Sequence, residues 1–233
     1  MDKKYELTDE TLEVKSKDGH MVTLHRIRSL INIENIRNAK NVRKGDLGGW
    51  VESEDNLSHE ENAWIDDNAR IFGNARIFGN ARVFGDARIF DNANIYGESQ
   101  VFGNAQIFGN AWVDGAQVFG NAQVFDRAMV FDSAEIFGNG KVYEFGKVYD
   151  EARVLDNAEV RGNAQVFGNA EIFNEASVRG YAKVSKKAFV CDKAMVSDNA
   201  KVMDFAIVRG NAIIGGHTVL KNYNVVEGMT KLL

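Results

Sequence analysis

Proline is missing from all 233 residues, and cysteine occurs once, as Cys191. Ordinary loops use proline to pre-set φ at turn positions. A chain with 22 glycines and no proline points to one turn type used many times, each needing glycine's freedom or a free N–H. The single cysteine excludes an internal disulfide and fits a reducing, cytoplasmic setting. No stretch approaches the ~18 apolar residues of a membrane span. The charged opening, Met1 to Glu6, gives no secretory apolar segment. A net charge of −5 supplies no general nucleic-acid affinity. Zinc-type Cys/His spacing and a Gly-x-x-x-x-Gly-Lys phosphate loop are also lacking. Neither metal nor cofactor is expected.

What is present is a repeat. Residues 69–80 read Ala-Arg-Ile-Phe-Gly-Asn twice, and the pattern drifts on to about residue 214. Aliphatic residues fall every sixth position from Ile65 through Ile71 and Ile77 to Val113. One five-residue step leads to Val118, and the spacing resumes through Val124 to Ile214. Two positions before each stands a small residue, usually alanine, with Ser99, Gly140 and Gly146 as substitutes. A helical face needs a period near 3.6. Six fits a short strand plus a corner, and alternation turns the small residue and the aliphatic inward. Every third unit then stacks on the one before, 18 residues per coil, in almost nine coils.

This pattern resembles the hexapeptide-repeat, left-handed β-helix superfamily, and the handedness comes from that resemblance alone. Pentapeptide helices need a five-residue period, found only at Val113 to Val118. The fold expected is all-β: a three-sided parallel β-helix with a small N-terminal hairpin cap. Its parts are a hairpin and capping segment over 1–62, coils over 63–214 and a C-terminal cap over 215–233. Leu12–Val14 and Met21–Ile27 flank Lys17-Asp18-Gly19, a hairpin signal. Gly48-Gly49-Trp50-Val51 and Asn56-Leu57-Ser58, joined to the array, resemble enterobacterial and phage β-helix proteins loosely called putative transferases.

Many superfamily members are acyltransferases, which place a general-base histidine in a cleft between subunits, often beside a projecting loop. A base is needed because the acceptor must lose a proton as it attacks the thioester. Here His20 and His25 belong to the hairpin, and no loop interrupts 63–214. His217 and His59 are the weak catalytic candidates. Turn carboxylates such as Asp66, Asp67, Asp86 and Asp91 are expected to bond their own backbone.

The residue after each inward aliphatic is aromatic in three columns. One holds Phe72, Phe90, Phe108, Phe125 and Tyr143. A second holds Phe78, Tyr96, Asp114, Phe131, Tyr149 and Phe167. The third holds Phe84, Phe102, Phe119, Phe137, Leu155 and Phe173. Either these outward rings pack on one another as ladders, or they are buried against another copy or a partner. The columns fade toward the C-terminus, where Arg161, Arg179, Ser185, Ser197 and Arg209 take their place. Interaction candidates are the first column, Phe84, Phe102, Phe119, Phe137 and Trp50. Of the arginines 70, 76, 82 and 88, only Arg70 and Arg88 share a side. The reading is a non-enzymatic, phage-type scaffold that forms a dimer or trimer and binds a macromolecular partner, a protein rather than a nucleic acid, with inhibition of a host enzyme or defence system as one role. The alternatives are an acyltransferase and a polymer-forming structural protein.

Overall fold

A computed structural model describes residues 3–34 and 41–233; Met1 and Asp2, the start of the charged opening, lie outside them. Strand β1 (Tyr5–Lys15) and strand β2 (Met21–Ser29) form an antiparallel hairpin, and strand β3 (Leu47–Val51) pairs antiparallel with β2. From Trp64 onward the chain is a succession of two- and three-residue strands divided by corners.

Every third strand stacks in parallel, which builds three walls. The first wall has 13 strands and includes β1, β2 and β3; the second has 10, from Trp64–Ile65; the third has 9, from Arg76–Ile77. This is the three-sided parallel β-helix with its N-terminal hairpin. Register follows the hexapeptide. Arg70 lies beside Arg88 and Ile71 beside Ile89, one coil apart. The five-residue step removes one corner residue after Asp114, so Gln100 pairs with Gln117 and the walls continue unbroken. Inward alanines and aliphatics such as Ala105, Val142 and Ile172 are fully buried.

Each corner places one residue in the left-handed region. Glycine takes it at Gly73 (φ 66°) and Gly85 (φ 70°), aspartate at Asp67, Asp91, Asp150 and Asp192. These aspartates do not bond their own backbone. Asp67 Oδ2 accepts from the Gly85 N–H at 3.1 Å, Asp91 Oδ2 from Gly109 at 3.1 Å and Asp150 Oδ2 from Gly168 at 2.9 Å, each one coil on. The carboxylate therefore offsets its own backbone strain by tying two coils together. Replacing Asp150 with alanine keeps the strain and deletes the bond, an expected loss of about 1–2 kcal/mol. Asp150→Gly is expected to cost less, because the strain goes with the side chain; paired urea melts give the comparison.

Two boundaries differ from expectation. The hexapeptide register starts upstream of Ala63: β3 pairs with Arg70–Ile71, and Leu57 bridges Ile77. At the other end, 215–233 is no cap. Strands Val219–Leu220, Val225–Val226 and Lys231–Leu232 add one more layer to the three walls. Leu220, Val226 and Leu232 continue the six-residue step from Ile214, but Thr218, Asn224 and Thr230 stand where alanine stood before, which hid the repeat.

The candidate interaction surface and the histidine sites

The outward rings form ladders because a parallel wall repeats every ~4.8 Å, close to the contact distance of two aromatic planes. Along the first wall, Phe72, Phe90, Phe108, Phe125 and Tyr143 stack at 4.9–5.1 Å between centroids and within 5° of parallel. Phe84, Phe102, Phe119 and Phe137 do the same on the second wall at 4.8–4.9 Å. The third wall's ladder is split at Asp114, which leaves Phe78–Tyr96 on one side and Phe131–Tyr149–Phe167 on the other. At the gap, Trp112 meets Tyr96 edge-on at 5.6 Å. Arg153 lies 5.1 Å over Phe137, and Arg161 takes over from the rings beyond Tyr143 at 6.0 Å. Burial and the Glu159 hydrogen bond push the Tyr143 phenol up to about 12.

The ladders are not equally exposed. Val14 and Leu24 of the hairpin pack with Trp50, Phe72 and Phe90, with Leu12, Val22 and Phe108 at the edge of the cluster. Lys17, at the hairpin tip, reaches 5.2 Å from the Phe108 ring. Phe72 and Phe90 are thus buried by the chain's own hairpin and offer no surface to a partner, contrary to the sequence reading. The sequence carried the cover as the alternating apolar residues 12, 14, 22 and 24. Phe125, Tyr143, Phe84, Phe102, Phe119 and Phe137 stay half-buried, with their edges outward.

Trp50 is likewise interior, 8% exposed, with the Arg26 guanidinium 5.0 Å over its ring. It stands on β3, whose glycines let it close on the first full coil. A Cβ at Gly49 would lie 2.5 Å from Ile65 Cγ2 and 2.7 Å from the Ala69 carbonyl. Asn56 completes this end: its Oδ1 accepts the N–H groups of Glu52 and Ser53, and its Nδ2 donates to the carbonyls of Gly73 and Ala75. Lys4 is buried and donates to the carbonyls of Ala63 at 2.8 Å, Glu60 and Glu61.

Burial, helped by the Arg82 charge, lowers the Lys4 ammonium from 10.5 to about 8. Between those values the unfolded chain binds the extra proton, so stability rises as pH climbs from about 8 to 10.5. The gap corresponds to about 3 kcal/mol. Lys4→Met is expected to abolish that rise, read from urea melts of both proteins across the window.

His59 and His217 are not brought together. His59 lines an open groove of about 490 Å³ with Glu54, Asp55, Ser58, Arg76, Phe78 and Asn94. Its ring stacks on Tyr5 at 4.3 Å, and Nδ1 accepts the Lys4 N–H at 3.2 Å. The proton therefore sits on Nε2, 3.7 Å from Glu54 Oε2. A base needs a free lone pair, and this one is already engaged. His217 is exposed on a corner beside Gly216. Among the described residues no group of three or more His, Cys, Asp or Glu could hold a metal ion, and no helix is long and apolar enough to cross a membrane.

The YdcK Beta solenoid repeat family matches residues 69–85 and 75–88. No curated protein matches the chain. That match, over coils whose register the three walls display, makes this chain a β-solenoid repeat protein.

Proposed function

We propose that this chain is a non-catalytic solenoid of the hexapeptide-repeat kind, related to the phage-type β-helix proteins, which self-associates and acts by binding a protein in the cytoplasm. The observation that carries the reading is the unequal cover of the ladders. The chain spends its hairpin on Phe72 and Phe90 and leaves Phe84, Phe102, Phe119 and Phe137 half-exposed along the second wall. Stacked rings with outward edges make a long, stiff apolar ridge, which loses little entropy when a partner covers it. Inhibition of a host enzyme or defence system suits such a rod, whose surface repeats at a fixed spacing.

The test is Phe119→Ser with Phe137→Ser. Two lost ladder contacts cost the monomer about 1–2 kcal/mol, whereas loss of an interface lowers the oligomer mass in light scattering. A lower melting temperature at unchanged mass would leave the ladder as internal support only. The acyltransferase alternative is met directly: acetyl-CoA thermal shift and hydrolysis, with His59→Ala and His217→Ala, are expected to show no histidine-dependent turnover.

A further inference from the structure

The first ring of each outward column shows what a ladder meets on its N-terminal side. Phe72, first on the first wall, is buried with Trp50 under the hairpin. Phe78, first on the third wall, has a ring on one face only: it stacks on Tyr96 at 5.2 Å and within 6° of parallel. On the other face the ring position belongs to Ser58. The Ser58 N–H donates to the Ile77 carbonyl at 2.9 Å, as the Phe78 N–H donates to the Ile95 carbonyl one coil on. A serine side chain is too short to cover a phenyl ring, and the Ser58 Oγ is turned to the Glu60 N–H at 3.0 Å.

This face of Phe78 borders the groove that His59 lines. The step from Leu57 to Ile65 is eight residues in place of six, and the added length carries His59 onto the Tyr5 ring at 4.3 Å. Ser58, His59, Arg76 and Phe78 thus enclose part of a space of about 490 Å³, the size of a small-molecule site.

The charges in the groove are unequal. Arg76 is exposed and stands beside Asn94 in the wall, with no ion pair or hydrogen bond to the described residues. Glu54 is already held by Lys3 at 2.6 Å. Asp55, exposed at the rim, can accept an N–H. Arg76 and Phe78 face outward from one strand, two residues or about 7 Å apart. A cation and an uncovered ring face therefore lie within the span of one small molecule.

We infer that this groove binds a small planar aromatic ring bearing an anionic group. The ring lies on Phe78 as the next member of the ladder, at the spacing that the wall sets. The anion accepts from the Arg76 guanidinium in a charge-assisted pair, and a ring N–H is placed to donate to Asp55. The site is on the third wall, apart from Phe119 and Phe137, so its failure leaves the self-association reading untouched.

Equilibrium dialysis of residues 1–233 with indole-3-acetate tests this, beside cyclohexylacetate (an anion without a planar ring) and indole-3-acetamide (a planar ring without charge). Indole-3-acetate is expected to bind at a single site, and each control about 10-fold more weakly. Phe78→Leu and Arg76→Gln are each expected to weaken indole-3-acetate about 10-fold, with circular dichroism unchanged. Ser58→Phe supplies the chain's own ring at that position and is expected to abolish binding; it decides the matter if Phe78→Leu does not fold. No binding, equal binding of the controls, or binding indifferent to the three variants overturns the inference. Retention of the peptide acetyl-Trp-Asp-amide without retention of indole-3-acetate overturns it too, because the groove would then serve a protein partner and not a small molecule.

Discussion

Val142→Asp is expected to destroy cooperative folding of the solenoid, with loss of the β signal in circular dichroism and rapid proteolysis near the middle of the array. Val142 is fully buried and is paired along the first wall with Val124 and Val160. The interior at this level holds Gly140, Gly146, alanines and branched aliphatics, so a carboxylate there would have no cation beside it. Burying an unpaired charge costs several kcal/mol even when the group is driven to bind a proton. A solenoid depends on contacts between neighbouring coils, so one lost coil uncouples the two halves. Val142→Ala supplies the scale: an empty site of two methyl groups is expected to cost about 1–3 kcal/mol and leave the fold intact.

Gly49→Val carries the second large effect, confined to the N-terminal end. The added Cβ would enter the space of Ile65 Cγ2 and the Ala69 carbonyl, at 2.5 and 2.7 Å. Backbone atoms of the first coil cannot move aside, because they pair with the coil below. β3 must lift, and with it go the Trp50 packing and the anchorage of β2. The expected loss exceeds about 3 kcal/mol for the cap, while coils beyond the third keep their protection in hydrogen exchange. Trp50 fluorescence should shift to the red. Exposure of Phe72 and Phe90 should bring concentration-dependent aggregation, which the hairpin prevents in the native chain.

Much of this architecture is written in the order of residues. The six-residue step predicts the strands and their inward valines, since alternation across a strand leaves no choice about which side a given residue faces. The single five-residue step is visible in the sequence, but only the pairing of Gln100 with Gln117 shows it to be one shortened corner. The repeat is disguised outside 63–214: Thr218, Asn224 and Thr230 fill the small position after Ile214, and Gly49-Trp50-Val51, already a repeat unit, stands off the six-residue step that begins at Ile65. The covered rings are hidden for a different reason. Phe72, Phe90 and Trp50 look like the other outward aromatics in sequence, and nothing local says that residues 12–24 will lie on them.

The sequence alone therefore determined the period, the inward core, the three walls and the ladders, because each follows from short-range alternation and exact repetition at 18 residues. Tertiary structure decided which rings are covered, which coil the corner aspartates bond and where the His59 lone pair goes. Those depend on the path of a hairpin and a cap that cross the repeat, and their contacts join residues tens of positions apart. Periodicity fixes what repeats; it says nothing about the segments that break it.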